Sequence, residues 1–67
     1  ANARPAMDLD LATRVDAAIT FYANCDAKRF AENEGRYNKL LNSVGIQEDQ
    51  YNAVVEAHDK RKVELMV

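Results

Sequence analysis

Apolar residues recur every three or four positions along the first third of the chain. They are Leu11, Val15, Ala18, Tyr22 and Cys25, with Ile19 and Phe21 widening the series. This spacing places them on one face of a helix, close to a heptad repeat. No run of alternating apolar and polar residues indicates a strand. The pattern therefore predicts an amphipathic helix that begins near Asp8.

The apolar face changes register after Cys25. Phe30, Tyr37 and Val44 are seven positions apart, and they do not continue the first series. This shift indicates either a break in the helix or one long helix that contains a stutter.

Two segments are candidates for such a break. At residues 24–26, Asp26 is suited to cap a second helix, and at residues 33–35 a glycine lowers helix propensity. Glu32 and Arg36 nevertheless form a favourable pair, four positions apart, across this glycine. We expect one long, kinked helix over most of residues 8–43, with two helices as the alternative.

The clearest boundary is the turn at residues 44–46. Gly45 supplies the left-handed conformation that helix ends favour, and we expect Val44 and Ile46 to fill the gap between two helices. A helix over 47–66 follows, with acidic residues in its first turn and the bases Lys60, Arg61 and Lys62 towards its end. The short turn predicts that the helices on its two sides are neighbours.

These patterns predict an all-α fold: a helical hairpin or small three-helix bundle over residues 8–67, with a long first helix. Residues 1–7 carry no apolar period, and we interpret them as a disordered tail or a remnant of processing or cloning. The predicted core between the helices comprises Leu40, Leu41, Val44, Ile46, Val54 and Val55.

The short length of the chain favours a partner. Below roughly 70–80 residues a single core supplies only about 3–5 kcal/mol, so small chains use disulfides, metals or partners. This 67-residue chain has one Cys and one His, which excludes an internal disulfide and a structural zinc site. We therefore expect oligomerisation, or packing against a larger protein, to complete the fold.

The predicted contact residues are the aromatic side chains and the apolar face of the first helix. They are Leu11, Val15, Ile19, Phe21, Tyr22, Phe30, Tyr37 and Tyr51. Adjacent residues on a helix point about 100° apart, so Phe21 and Tyr22 cannot share one face. We therefore expect two contact surfaces on a small protein-interaction or oligomerisation module.

Candidate chemistry is sparse. We find no glycine-rich phosphate loop, metal-ligand spacing or nucleophile beside a base, so we predict neither enzyme activity nor a cofactor. His58 is interpreted as a histidine at the edge of a helix contact, with a pH-sensitive interface as the alternative. Cys25 is expected to be a core or interface thiol, which favours a cytoplasmic setting. No apolar stretch is long enough to span a membrane.

A basic docking patch is the remaining charged feature. Its candidate residues are Arg36, Lys39, Lys60, Arg61 and Lys62. We interpret the last three first as a solvated helix end that complements the helix dipole, with the docking patch as the alternative.

Residues 36–62 also resemble a helix-turn-helix, which makes DNA binding the alternative function. The matching positions are Leu40, Val44, Gly45, Ile46, Tyr51 and Val54. Leu41 stands where a small residue is usual, and Glu48 and Asp49 would repel phosphates at the start of the second helix. The formal net charge of -2 also disfavours nucleic acid as a partner.

Overall fold

A computed structural model describes residues 9–67 and contains four helices in that range. They are α1 (Leu9–Asn24), α2 (Ala27–Glu32), α3 (Glu34–Leu41) and α4 (Glu48–Met66). The described residues include no strand, which confirms the all-α prediction. The predicted tail at residues 1–7 lies outside the described part of the chain.

The single long helix expected over residues 8–43 is wrong, because the chain breaks after Asn24 and again at Asn33. Asp26 adopts an extended backbone, and its Oδ1 accepts a hydrogen bond from the Arg29 amide at 2.8 Å. The cap thus starts α2 in a new direction. The second break is slight, since the Tyr37 amide still donates to the Asn33 carbonyl at 3.0 Å.

The connection between α3 and α4 is built around Gly45, whose φ is 90°. The Ile46 amide donates to the Ser43 carbonyl at 3.3 Å and closes a turn with Gly45 in its third position. The Gln47 amide then donates to Gln50 Oε1 at 2.9 Å, which fixes the start of α4. Val44 does not fill the gap between helices as predicted, because the turn leaves it fully exposed.

The core lies mainly between α1 and α4. It consists of Leu11, Val15, Leu40 and Val54, with Ala18, Ile19, Tyr37, Leu41 and Ile46 packed against it. The most extensive helix packing joins α1 to α4, whereas the short turn had predicted only that the helices on its two sides are neighbours. The sixteen residues of α1 offer α4 a longer apolar face than the eight residues of α3 do.

Of the four helices between residues 9 and 67, none has the length and hydropathy to cross a membrane.

Candidate protein-interaction surface

A groove of about 590 Å³ runs between α1 and α3, and we refer to it as the α1–α3 groove. Its lining comprises Arg14, Ala17, Ala18, Phe21, Tyr22, Asn33, Arg36, Tyr37, Lys39 and Leu40. Most of the lining surface is apolar, and the break between α1 and α2 brings the two walls together from segments far apart in sequence.

The two walls have the same spacing. On α1, four of the five lining residues lie at positions 14, 17, 18 and 21. On the other wall, four lie at positions 33, 36, 37 and 40, where Asn33 caps α3 and the other three belong to it. Residues three, four and seven apart share one helix face, so each wall presents a stripe two turns long. Two such stripes side by side form the surface on which a third helix packs.

The charge of the groove has one sign. Arg14 lies on the α1 wall, and Arg36 and Lys39 lie on the α3 wall, all three exposed. None of the described residues that line the groove is acidic. The groove therefore combines an apolar floor with a basic rim.

Five rings, which we call the aromatic cluster, support the floor of the groove. They are Phe21, Tyr22, Phe30, Tyr37 and His58. The His58 ring stacks on Tyr37 with a centroid distance of 3.8 Å and an angle of 9°. Tyr22 lies edge-on to His58 at 5.2 Å and to Phe30 at 5.6 Å, and only 3% of its surface is exposed. The cluster thus joins all four helices.

His58 is buried, and both of its ring nitrogens face carboxylates. Its Nε2 lies 2.7 Å from Glu34 Oε1, and its Nδ1 lies 3.2 Å from Asp59 Oδ1. A ring protonated at both nitrogens donates to both carboxylates, whereas a neutral ring can donate to only one. His58 therefore links α3 to α4 from within the fold, and the predicted position at the edge of a contact is wrong because the aromatic rings cover it.

The phenol groups of the aromatic cluster are held in the neutral form. Burial raises the pKa of Tyr22 to about 12, and the negative charge of Glu34 adds to this effect. Burial also raises the pKa of Tyr37, with a further contribution from the charge of Asp59. Both rings therefore act as packing groups near neutral pH.

Arg61 closes the end of α1. Its Nε donates to the Cys25 carbonyl at 2.8 Å, its Nη2 donates to the same oxygen, and its Nη1 bonds to Glu64 at 3.1 Å. The hydrogen bond to Glu64 raises the pKa of the guanidinium. The last turn of α1 has no basic residue of its own, so Arg61 provides the positive charge that favours a helix C-terminus.

The predicted basic patch is divided between two surfaces. Arg36 and Lys39 line the α1–α3 groove, whereas Lys60 and Arg61 line a second groove of about 360 Å³ between α1 and α4. Acidic residues share that second groove with them. Lys62 is exposed and lines neither groove.

The predicted contact residues differ in exposure. Leu11, Val15 and Tyr22 are buried within the chain itself, because α4 and the aromatic cluster cover them. They stabilise the fold and expose almost no surface. The partly buried residues are Ile19, Phe21, Phe30 and Tyr37, and Tyr51 is 42% exposed. Leu9, Val63 and Met66, which the predicted contact set did not include, are also largely exposed.

The residues that resemble a helix-turn-helix are only partly arranged as the motif requires. Leu40 and Val54 are buried and Ile46 is partly buried, but Val44 points into solvent. Glu48 and Asp49 are exposed at the start of α4, where a recognition helix would approach phosphates.

The potential metal ligands are scattered. Within residues 9–67, no three His, Cys, Asp or Glu side chains come close enough together to hold a metal ion. Cys25 is buried as a free thiol where α1 ends. Comparison of the chain with protein-family models, with curated proteins and with solved structures finds no match.

Proposed function

We propose that this chain is a small, non-enzymatic helical module that works by self-association through its apolar surface. The observation that carries the proposal is the number of apolar side chains that the fold leaves exposed. Among residues 9–67, six apolar residues are buried, while six large apolar side chains are at least 42% exposed. A core this small gives little margin against the entropy of folding, so burial against a second copy adds needed stability.

The exposed apolar residues support the same proposal. Leu9, Tyr51, Val63 and Met66 expose between 42% and 82% of their surface. A typical protein interface covers about 800 Å² on each partner. Because each square ångström of apolar surface removed from water contributes about 25 cal/mol, an interface of this size is favourable if its centre is apolar.

The proposal is tested by the dependence of the thermal unfolding midpoint on protein concentration. If folding and association are linked, mass action raises the midpoint as the concentration rises. We expect a clear rise over a roughly hundredfold concentration range. A cooperative transition whose midpoint does not move with concentration contradicts the proposal.

We propose a cytoplasmic setting, because a buried free thiol such as Cys25 suits a reducing compartment.

A larger protein partner is the alternative to self-association. A chain that is monomeric and binds such a partner through the α1–α3 groove would overturn self-association and support this alternative.

DNA binding through residues 36–62 stays the alternative function. The bases Arg36 and Lys39 favour it, and the exposed Glu48 and Asp49 oppose it. Salt-dependent retention on duplex DNA at low ionic strength would support this alternative. Self-association without such retention favours the interaction module.

A further inference from the structure

We infer that two copies pair by placing the outer face of α4 from each copy in the α1–α3 groove of the other. This inference rests on the proposed self-association and names the two surfaces that meet. The outer face of α4 is defined here as Glu48, Tyr51, Val55 and Asp59.

The α1–α3 groove determines what kind of segment fits it. Ala17 and Ala18 leave room for close approach on the α1 wall, and Phe21 and Tyr37 provide apolar contact. The bases Arg14, Arg36 and Lys39 favour a ligand with carboxylates beside its apolar residues. A helix with an apolar centre and acidic flanks meets these requirements.

The outer face of α4 has this composition. Its residues lie at intervals of three, four and four, so they share one stripe of the helix. Tyr51 is 42% exposed and Val55 is partly buried, with an exposed carboxylate at each end of the stripe, from Glu48 and Asp59. The twelve residues from 48 to 59 contain four acidic residues and no Lys or Arg. The face is therefore complementary to the groove in charge and in apolar character.

A two-fold pair uses both surfaces of each copy. If one groove receives the α4 of the partner, the symmetry places the partner's groove on the first α4, so that the two contacts form together. This arrangement covers Tyr51 and the open side of the aromatic cluster in both copies. It also pairs the basic rim of each groove with the acidic stretch of the other copy.

A charge exchange tests the inference. The groove variant carries Arg14→Glu and Arg36→Glu. The face variant carries Glu48→Lys and Asn52→Lys, and Asn52 lies beside Tyr51, four positions along the helix from Glu48. All four positions are exposed. We expect each variant alone to have the mass of one chain, 7.5 kDa. An equimolar mixture restores dimers, because each reversed surface then meets a partner of opposite charge. A lack of dimers in the mixture contradicts the inference.

The matched control changes the same number of charges away from the groove. Lys28→Glu with Arg29→Glu alters two exposed bases on α2 that line neither groove, and this variant is expected to stay dimeric. If the groove variant dimerises as well as this control, the inference is wrong and the proposed function stands. If the wild-type chain is already monomeric, the proposed function itself fails.

A second variant covers the case in which charge reversal unfolds the chain. Ala17→Trp adds bulk to the α1 wall at an exposed position outside the core. We expect it to keep the helical circular dichroism of the wild type while losing the dimer. A folded Ala17→Trp variant that dimerises normally overturns the inference.

Discussion

At the scale of single residues, His58 is the best-defined polar group in the fold. It is 6% exposed, stacks on Tyr37, and has a carboxylate oxygen beside each ring nitrogen. The sequence predicted a histidine at the edge of a helix contact, whereas the aromatic rings bury it. Its partner Glu34 lies 24 residues away, and no local spacing indicates a contact made only by tertiary packing.

Glu34→Gln tests the link between α3 and α4. The amide keeps the shape of the side chain but weakens the charge-assisted hydrogen bond to His58. Because the Glu34 side chain is 47% exposed, we expect a loss of about 1 kcal/mol in the free energy of unfolding. Urea denaturation at neutral pH measures it. The control is Glu32→Gln at an exposed position two residues earlier, and an equal loss in both variants contradicts the role of Glu34.

Tyr22 gives the fold a sensitivity to alkali. Its pKa in the fold is about 12, above the ordinary value of 10.0, so the folded state retains a proton that the unfolded chain releases. The resulting stability is fully present below pH 10 and is lost as the pH rises towards 12.

We expect the free energy of unfolding to fall over that alkaline range, and Tyr22→Phe to make the fall shallower. Denaturant titrations at several alkaline pH values measure the slope. Tyr37 also has a raised pKa, so some slope should remain. Tyr51→Phe, at an exposed ring, serves as the control. An unchanged slope in Tyr22→Phe would show that this phenol is not the group responsible.

At the scale of the elements, the sequence indicates the start of α1 and both ends of α4, because their apolar stripes are long. It does not indicate the end of α1 at Asn24, since one long helix over residues 8–43 was expected. α4 begins at Glu48, one residue after the predicted start, and ends at Met66. The breaks at residues 25–26 and 33 were harder to predict, since helix formers surround both. At residues 25–26, the free energy gained from the Asp26 cap competes with the free energy gained by continuing the helix. Tertiary packing decides which of the two forms.

The two glycines provide a matched test of the local backbone. Gly45 has a φ of 90°, which only glycine adopts without strain, so Gly45→Ala should destabilise the protein by about 1 kcal/mol. Gly35 lies in the first turn of α3, where an added Cβ would meet no other atom within 4 Å. Gly35→Ala should therefore stabilise the protein by about 0.5–1 kcal/mol. Thermal unfolding of the two variants measures both effects. Shifts of the same sign would contradict the assignment of the turn and helix.

At the scale of the whole molecule, self-association is proposed because residues 9–67 leave as many large apolar side chains exposed as they bury apolar residues in the core. The chain length and the adjacent Phe21 and Tyr22 predicted more apolar residues than one small core can bury. The α1–α3 groove was not predicted, because its walls come from residues 14–22 and 33–40, and the helix break after Asn24 lies between these two segments. Sequence analysis also counted several core residues as contact residues, since periodicity cannot distinguish an intramolecular partner from an intermolecular one.

The mass of the chain in solution tests the central claim most directly. Sedimentation equilibrium at several protein concentrations measures it without any mutation. The account predicts a mass that rises with concentration towards twice the 7.5 kDa of one chain. A mass that stays at 7.5 kDa over the whole range, for a chain that unfolds cooperatively, would contradict it.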